Sequence, residues 1–240
     1  MYSVTHFEEI GSTNEYLMSL AKSGERGKVC VAARSQTAGR GRRGRSFSSP
    51  KNGLYMSLLV SKLPMDSAML LTPMTACAVA RAIENVTGIS VGIKWVNDLY
   101  LEGKKLAGIL TEAKFDFGRH MLDYAVIGIG INLTPPDMGF DEEIRDIATA
   151  LLDECDESLR LTLCNEILKQ VEEYLPCLDS PSLIEEYKAR SVILGREISV
   201  HAAEGVYKAK AVDIDSRGNL IVEKDGKRLT LSSGEISVRV

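Results

Sequence analysis

The apolar positions of the chain follow two spacings, one typical of helices and one typical of strands. Ser12 followed by Glu15 predicts a capped helix start, Leu17 and Leu20 supply an apolar stripe, and Gly24 is the expected stop. Apolar runs bounded by turn residues predict strands. The stretches with this pattern are 28–33, 54–60, 91–95, 99–102, 105–114 and 121–133.

Helical spacing returns in further stretches, namely 66–87, 141–153, 159–175 and 182–190. Pro73 lies inside the first of these, so that helix should kink or begin late. From about Gly195 the pattern changes to short strands separated by turns, which favours a small barrel or sandwich. These strands are expected at 196–201, 206–214, 219–224, 227–231 and 235–240.

These elements predict an α/β (α+β) protein in two parts. A mixed β-sheet with flanking helices should occupy residues 1–192, and a small β-domain residues 193–240. A chain of 240 residues with 45% hydrophobic content can build a sizeable core. Its net charge of −4 argues against general polyanion binding.

Cysteine and histidine usage excludes several classes of protein. The five cysteines are scattered without a CxxC pair, and the three histidines show no metal-ligand spacing. A zinc site or a disulfide framework is therefore not expected, and a reducing cytoplasm fits best. No signal-peptide pattern precedes residue 30, and no apolar run approaches the roughly 18 residues of a membrane span.

The stretch 39–45, Gly-Arg-Gly-Arg-Arg-Gly-Arg, puts three glycines and four arginines into seven residues of a long loop, 35–53. It matches the dinucleotide pattern G-x-G-x-x-G, but the following Ser-Phe-Ser-Ser-Pro does not begin the helix that such a site requires. A P-loop is excluded because no Gly-Lys-Ser/Thr follows. A nucleic-acid patch or a solvated turn stays open on charge alone. Guanidinium geometry favours a small anionic ligand, most simply a nucleotide phosphate.

A second candidate region combines 94–98, Lys-Trp-Val-Asn-Asp, with 105–110, Lys-Leu-Ala-Gly-Ile-Leu. Strand alternation places Lys105 with Ala107 and Ile109, on the face opposite Gly108. Lys105 is then either an edge lysine that reaches solvent or a cation that faces an anion. Gly108 lies inside a predicted strand, which indicates close approach of a backbone or a ligand. Gly128 and Gly130 indicate either the same close approach or a β-bulge.

Taken together, these motifs resemble the biotin protein ligase family. The resemblance rests on Ser12-Thr13-Asn14, Gln36, the loop 39–45, the segments 94–98 and 105–110, and Gly128-Ile129-Gly130-Ile131-Asn132, in order and at similar spacing, and it extends to 233–239. It implies the biotin ligase fold, similar to class II aminoacyl-tRNA synthetases, followed by an SH3-like β-barrel. The implied reaction joins biotin to ATP as biotinyl-5′-AMP and then transfers the biotinyl group to a lysine of a biotin carboxyl carrier protein.

The resemblance also implies roles for individual residues. Lys105 and Arg40 would be catalytic. The biotin site would comprise Ser12, Thr13, Asn14, Gln36, Arg40, Gly41, Arg42 and Lys105. The ATP and adenylate site would comprise Gly39, Arg40, Arg42, Arg43, Arg45, Phe47, Asn97 and Asn132. Asp98 would contact magnesium, which enters with ATP, and no tightly bound prosthetic group is expected.

Departures from the family pattern qualify these expectations. Phe47 stands where tryptophan is frequent, which puts its adenine contact in question, and Val96 replaces a frequent proline. Little chain precedes Ser12, so a DNA-binding repressor role is not expected, whereas a cytoplasmic homodimer is. The alternatives are a lipoate–protein ligase, which the arginine loop argues against, and a non-catalytic binding regulator, which Arg40, Arg42 and Lys105 argue against.

Overall fold

A computed structural model describes residues 1–202, 205–232 and 235–237. The strands are β1 (Ser3–Ile10), β2 (Val29–Gln36), β3 (Gly53–Ser61), β4 (Gly92–Lys94), β5 (Asp98–Leu101), β6 (Lys104–Asp116), β7 (Met121–Asn132), β8 (Glu197–Ala202), β9 (Gly205–Ile214), β10 (Leu220–Lys224), β11 (Lys227–Leu231) and β12 (Glu235–Ser237). The helices are α1 (Thr13–Lys22), α2 (Met65–Ala68), α3 (Leu71–Thr87), α4 (Glu157–Tyr174) and α5 (Pro181–Ala189). Single 3₁₀ turns occur at Arg42–Gly44 and Leu175–Cys177.

The larger sheet is mixed, as predicted, and has seven strands in the order β1-β2-β3-β7-β6-β5-β4. Only β1 and β2 run parallel, joined through α1, while the other neighbours are antiparallel. The sequence analysis did not predict β1. This edge strand has no buried residue, so it lacks the apolar run by which buried strands are identified.

Helices cover the two faces of this sheet unequally. One face packs against α3, α4 and α5 in the main hydrophobic core, which includes Met56, Ile83 and Ile167. The other face carries only α1, whose Leu17 and Ala21 pack on buried strand residues. Because α1 covers only part of its face, the remainder is open, and the candidate site lies there.

The predicted ends of helices α1 and α3 are confirmed in their physical detail. Ser12 caps α1, since its hydroxyl accepts a hydrogen bond from the Glu15 amide at 3.4 Å. Gly24, with φ of 105°, follows the end of α1, and Gly88, with φ of 74°, ends α3 in the left-handed conformation. The predicted helix 66–87 divides into α2 and α3, and Pro73 sits in the first turn of α3, so the late start was correct.

The helix predicted at 141–153 was wrong, because that segment forms turns instead. Its backbone makes isolated turn bonds, such as Arg145 N to Asp141 O and Ala148 N to Ile144 O, but it also hydrogen-bonds to the neighbouring strands. The Lys105 amide donates to Ile147 O at 2.7 Å, and the Leu151 amide donates to Asn132 O at 2.9 Å. These long-range bonds override a helical spacing that was local and weak.

The C-terminal strands form a second, antiparallel sheet of five strands in the order β11-β10-β9-β8-β12. The strand prediction is confirmed within the described residues, while 233–234 and 238–240 lie outside them. The indole of Trp95 donates to Gly218 O at 2.9 Å, so this sheet touches the segment that begins the β4–β5 turn. Among residues 1–202, 205–232 and 235–237, no helix is long and apolar enough to cross a membrane.

Candidate functional site

A cavity of about 310 Å³ opens on the sheet face that α1 leaves uncovered. Its walls are the N-terminus of α1, the loop between β2 and β3, the β4–β5 turn, and glycine-rich parts of β6 and β7. This volume lies at the lower end of the range for small-molecule sites. Among the predicted site residues, those lining it are Ser12, Thr13, Asn14, Gln36, Arg40, Gly41, Arg42, Arg43, Arg45, Phe47, Asn97, Asp98 and Lys105.

The closed end of the cavity is a buried hydrogen-bond network around the start of α1. The amide and hydroxyl of Thr13 donate to Gln36 Oε1 at 2.9 and 3.1 Å. The Ser57 hydroxyl lies 2.8 Å from Thr13 Oγ1 and 2.6 Å from Asn14 Oδ1. Ser12, Thr13 and Asn14 are each no more than 4% exposed. This end can therefore offer donors and acceptors to a polar head group without rearranging its backbone.

Glu112 is a site residue that the sequence analysis missed. Its Oε2 accepts from Asn14 Nδ2 at 3.1 Å, and its Oε1 pairs with Arg40 Nη2 at 3.1 Å. Glu112 therefore joins the closed end to the arginine loop. Strand alternation from Gly108 through Leu110 was a signal that could have found it, because these residues share the cavity face of β6.

Glycines shape the floor of the cavity because two side chains lie directly on their backbone. A Cβ atom on Gly130 would lie 2.6 Å from the Phe47 ring, and one on Gly108 would lie 3.0 Å from it. A Cβ atom on Gly128 would lie 2.8 Å from Asn14 Cγ. The pairing of β6 with β7 is regular through 128–130, so the close-approach prediction is correct and the β-bulge alternative is wrong.

The arginine loop forms a small hairpin over the cavity. The Phe47 amide donates to Gly39 O at 2.9 Å, and the Gly41 amide donates to Arg45 O at 2.7 Å. Arg43 takes a left-handed φ of 57° at the tip. A Cβ atom on Gly39 would clash with Phe47 O and the Ser49 hydroxyl, so the base of the hairpin requires glycine. Gly39 belongs to this base and does not line the cavity.

Lys105 faces the cavity, contrary to the strand alternation that placed it opposite Gly108. Its Nζ lies 3.4 Å from the Cβ position of Gly108, on the same face. The pairing of β5 with β6 shifts register between Leu99 and Tyr100, opposite Lys105 and Ala107, and this irregularity reverses the expected phase. Lys105 pairs with Asp98 at 2.8 Å, so of the two alternatives it is the cation that faces an anion, and the anion here is a carboxylate of the protein.

Arg42 and Asn97 line the cavity, whereas Asn132 does not. Arg42 donates from Nη1 to Asn97 Oδ1 at 2.9 Å, and Asn97 Nδ2 donates to Ile109 O at 2.9 Å. This chain of bonds ties the loop to β6. Asn132 does not line the cavity, since its amide donates to Thr149 O at 3.0 Å and holds the 141–153 segment.

Metal ligands are sparse around the cavity. No cluster of three or more histidine, cysteine, aspartate or glutamate side chains able to hold a metal ion occurs in the described part of the chain. Asp98 alone brings a carboxylate beside the β4–β5 turn, and Lys105 already occupies one of its oxygens. These residues fit a magnesium ion held mainly by substrate phosphates, with one protein carboxylate.

Comparison with known proteins supports the motif-based resemblance. Residues 7–132 match the model of the biotin/lipoate A/B protein ligase family, and residues 193–239 match the biotin protein ligase C-terminal domain. The bifunctional ligase/repressor BirA of Bacillus subtilis is 31% identical over 97% of this chain and 73% of its own length. The biotin–[acetyl-CoA-carboxylase] ligase of Mycobacterium tuberculosis is 30% identical over 95% of this chain and 86% of its own length.

Solved structures give the same result for the fold. The biotin protein ligase of Aquifex aeolicus, in complex with biotin and ATP, superposes with a TM-score of 0.77 and 26% identity, covering 99% of this chain and 98% of that chain. The mixed sheet and the small C-terminal sheet thus correspond to the two regions that the family models match. The chain belongs to the biotin/lipoate A/B protein ligase family.

Proposed function

We propose that this chain is an ATP-dependent biotin protein ligase. It activates biotin as biotinyl-5′-AMP and transfers the biotinyl group to a lysine of a biotin carboxyl carrier protein domain. The observation that carries this proposal is the convergence of Arg40, Arg42 and Lys105 on one cavity. The opposite end of that cavity carries a buried network of hydroxyl and amide groups.

The polar closed end favours biotin over lipoate. The ureido ring of biotin presents one carbonyl acceptor and two N–H donors, which match the mixed donors and acceptors of Thr13, Asn14 and Gln36. The dithiolane ring of lipoate has no comparable groups, so it would gain no hydrogen bonds from these residues. A site that hydrogen-bonds its substrate discriminates against an analogue that lacks the bonding groups.

The first chemical step needs positive charge more than proton transfer. The biotin carboxylate attacks the α-phosphorus of ATP, a phosphorus–oxygen bond forms, and pyrophosphate leaves. Negative charge accumulates where two anions meet, and Lys105, Arg40 and Arg42 supply fixed cationic donors there. Asp98 forms an ion pair with Lys105 at 2.8 Å, which keeps this cation at the cavity.

The second step transfers the acyl group. The carrier lysine attacks the acyl carbon of the mixed anhydride, the amide bond forms, and AMP leaves. The anhydride must stay away from water until the carrier arrives. The hairpin 39–47, with exposed arginines at its tip, is the segment that we assign to this shielding role. Phe47 lies at the base of this hairpin, where we assign it to the adenylate end.

We propose further details of the metal, the domains, the location and the oligomeric state. Magnesium enters with ATP, and Asp98 is its candidate protein ligand. The two parts, 1–192 and 193–240, are separate domains. The protein acts in the cytoplasm as a homodimer, by analogy with the family, and all five of its cysteines are free thiols. Light scattering of the purified protein tests the dimer directly.

Pyrophosphate release tests the proposed reaction. The purified chain receives Mg-ATP with biotin, with lipoate, or with no acid. Release is expected only with biotin, followed by labelling of a carrier domain. Release with lipoate alone would overturn the substrate assignment, and no release in any arm would favour a binding protein without turnover.

A further inference from the structure

A second cavity, of about 120 Å³, lies on the opposite face of the large sheet. It is enclosed by β1, β2, the start of β3 and the first turns of α4. Ala32, Leu54 and Cys164 form its apolar wall and belong to the main core. None of the residues assigned to the ligase reaction lines it.

Arg160 on α4 is the unusual feature of this cavity. The residue is only 6% exposed, yet its Nε and Nη1 atoms are buried with no hydrogen-bond partner among the described residues. The nearest carboxylate, on Glu157, lies 3.7 Å from Nε, which is too far for a hydrogen bond. Buried guanidinium donors are rarely left without an acceptor, so this side chain requires one.

The charged side chains around this cavity are compatible with a bound anion. Arg34 lies on the same cavity, 3.7 Å from Glu157 and 3.5 Å from Glu8. The side chains of Glu157 and Glu8 are 50% and 86% exposed, so water screens their charge. The His6 ring lines the same wall. The charge of Arg160 is shielded from water, and it therefore dominates the field inside the cavity.

We propose that this cavity is a binding site for a small oxyanion, held by Arg160 and by Arg34 at its mouth. Phosphate and carboxylate groups accept hydrogen bonds in pairs from one edge of a guanidinium group, so an oxyanion would bond Nη2 together with one of the two unpartnered nitrogens of Arg160. A volume of about 120 Å³ admits a group of this size but not a nucleotide. The site is independent of the proposed ligase reaction.

Thermal unfolding with inorganic phosphate, compared with chloride at equal ionic strength, tests the site without biotin or ATP. For a dissociation constant of about 1 mM, 20 mM phosphate should raise the Tm by about 4 °C above the chloride control. Arg160→Met should lose this increase. In chloride this variant should be close to the wild type in stability, because the ion pair that it loses, with Glu157 at 3.7 Å, is too long for a hydrogen bond. An acetate arm distinguishes a carboxylate site from a phosphate site.

Two further variants keep the test decisive. Arg43→Gln, in the first cavity, should retain the phosphate effect, whereas Glu157→Gln should strengthen it about threefold in affinity, because a competing carboxylate is removed. If Arg160→Met does not fold, two measurements still decide. One is the phosphate-dependent Tm of Glu157→Gln, and the other is the broadening of the ³¹P NMR signal of phosphate when the wild-type protein is added. The proposal is overturned if neither phosphate nor acetate exceeds chloride, or if the effect persists in Arg160→Met.

Discussion

The two ends of the ligand cavity are built in opposite ways. At the closed end, Ser12, Thr13 and Asn14 are buried. Thr13 hydrogen-bonds to Gln36 on β2, and both Thr13 and Asn14 hydrogen-bond to Ser57 on β3. At the open end, the hairpin tip is exposed, and Arg43 takes a left-handed φ. Side chains tie this hairpin to the rest of the protein: Arg40 pairs with Glu15 and Glu112, and Arg42 donates to Asn97.

This difference indicates a division of labour. A preformed polar pocket loses little entropy when it binds a head group, so the closed end should determine which acid is bound. Cationic side chains on an exposed hairpin can approach the charge that develops during reaction, so the open end should determine rate. Substitutions at the two ends should therefore separate into effects on KM and effects on kcat.

Lys105→Ala is expected to have the largest effect. Removing one fixed cationic donor typically lowers the rate by about 10²–10³-fold, so adenylate formation should nearly cease. The side chain is 32% exposed, and its loss should leave the fold intact. Pyrophosphate release and thermal unfolding measure the two effects. Lys104→Ala, at the neighbouring exposed position, is the matched control and should behave as the wild type. Normal carrier labelling by Lys105→Ala would remove Lys105 from catalysis.

Gly128→Ala should damage the closed end next most strongly. The added methyl group would displace Asn14 by contact with its side-chain amide. Overpacking of this kind costs about 1–3 kcal/mol, so the KM for biotin should rise about tenfold or more with little change in kcat. Gly11→Ala, where nothing lies within 4 Å of the new Cβ, serves as its control. A fall in kcat at constant KM would contradict the assignment of Asn14 to the closed end.

Ser57→Ala tests the same closed end through a residue that supports Thr13 and Asn14. Ser57 is fully buried and supports both Thr13 and Asn14 through its hydroxyl. Loss of a buried hydrogen-bonding group costs about 1–3 kcal/mol, divided between stability and ligand binding. The Tm should fall by a few degrees, and the KM for biotin should rise several-fold. Steady-state kinetics with saturating ATP measures the second effect, and an unchanged KM would argue that Ser57 only fills space.

Glu112 lies where the two ends meet, and Glu112→Gln should have the smallest effect of the substitutions. The amide can still bond Asn14, but the charge that pairs with Arg40 at 3.1 Å is lost. Without ligand, protease should then cut the hairpin 39–47 about two- to threefold faster. The reason is that a half-buried ion pair stabilises by about 1 kcal/mol or less. Glu15→Gln removes the longer, more exposed pair at 3.7 Å and should change cleavage less. Equal rates for both variants would show that Glu112 does not anchor the hairpin.

Much of this architecture could be predicted from sequence because its signals are local. Apolar runs bounded by turn residues identified β2 to β7, and Ser12 and Gly24 identified the ends of α1. Site residues in 39–45 and 94–98 could be found because dense charge and turn chemistry mark them.

The features that were missed depend on distant contacts. β1 is an exposed edge strand, and 141–153 takes its hydrogen bonds from β6 and β7. Lys105 changes face through a register shift that only the pairing with β5 reveals. Ser57 and Glu112 are ordinary strand residues until folding brings them to Asn14. Single-sequence alternation has no information about such pairings.

Hydrogen exchange of the protein alone and with biotin plus Mg-ATP tests the central claim most directly. If the closed end is preformed and the hairpin closes over the adenylate, peptides covering 37–48 should gain strong protection. Peptides covering 12–14 and 53–61 should already be protected and change little. Protection that appears mainly at 12–14 and 53–61, with 37–48 unchanged, would contradict the account.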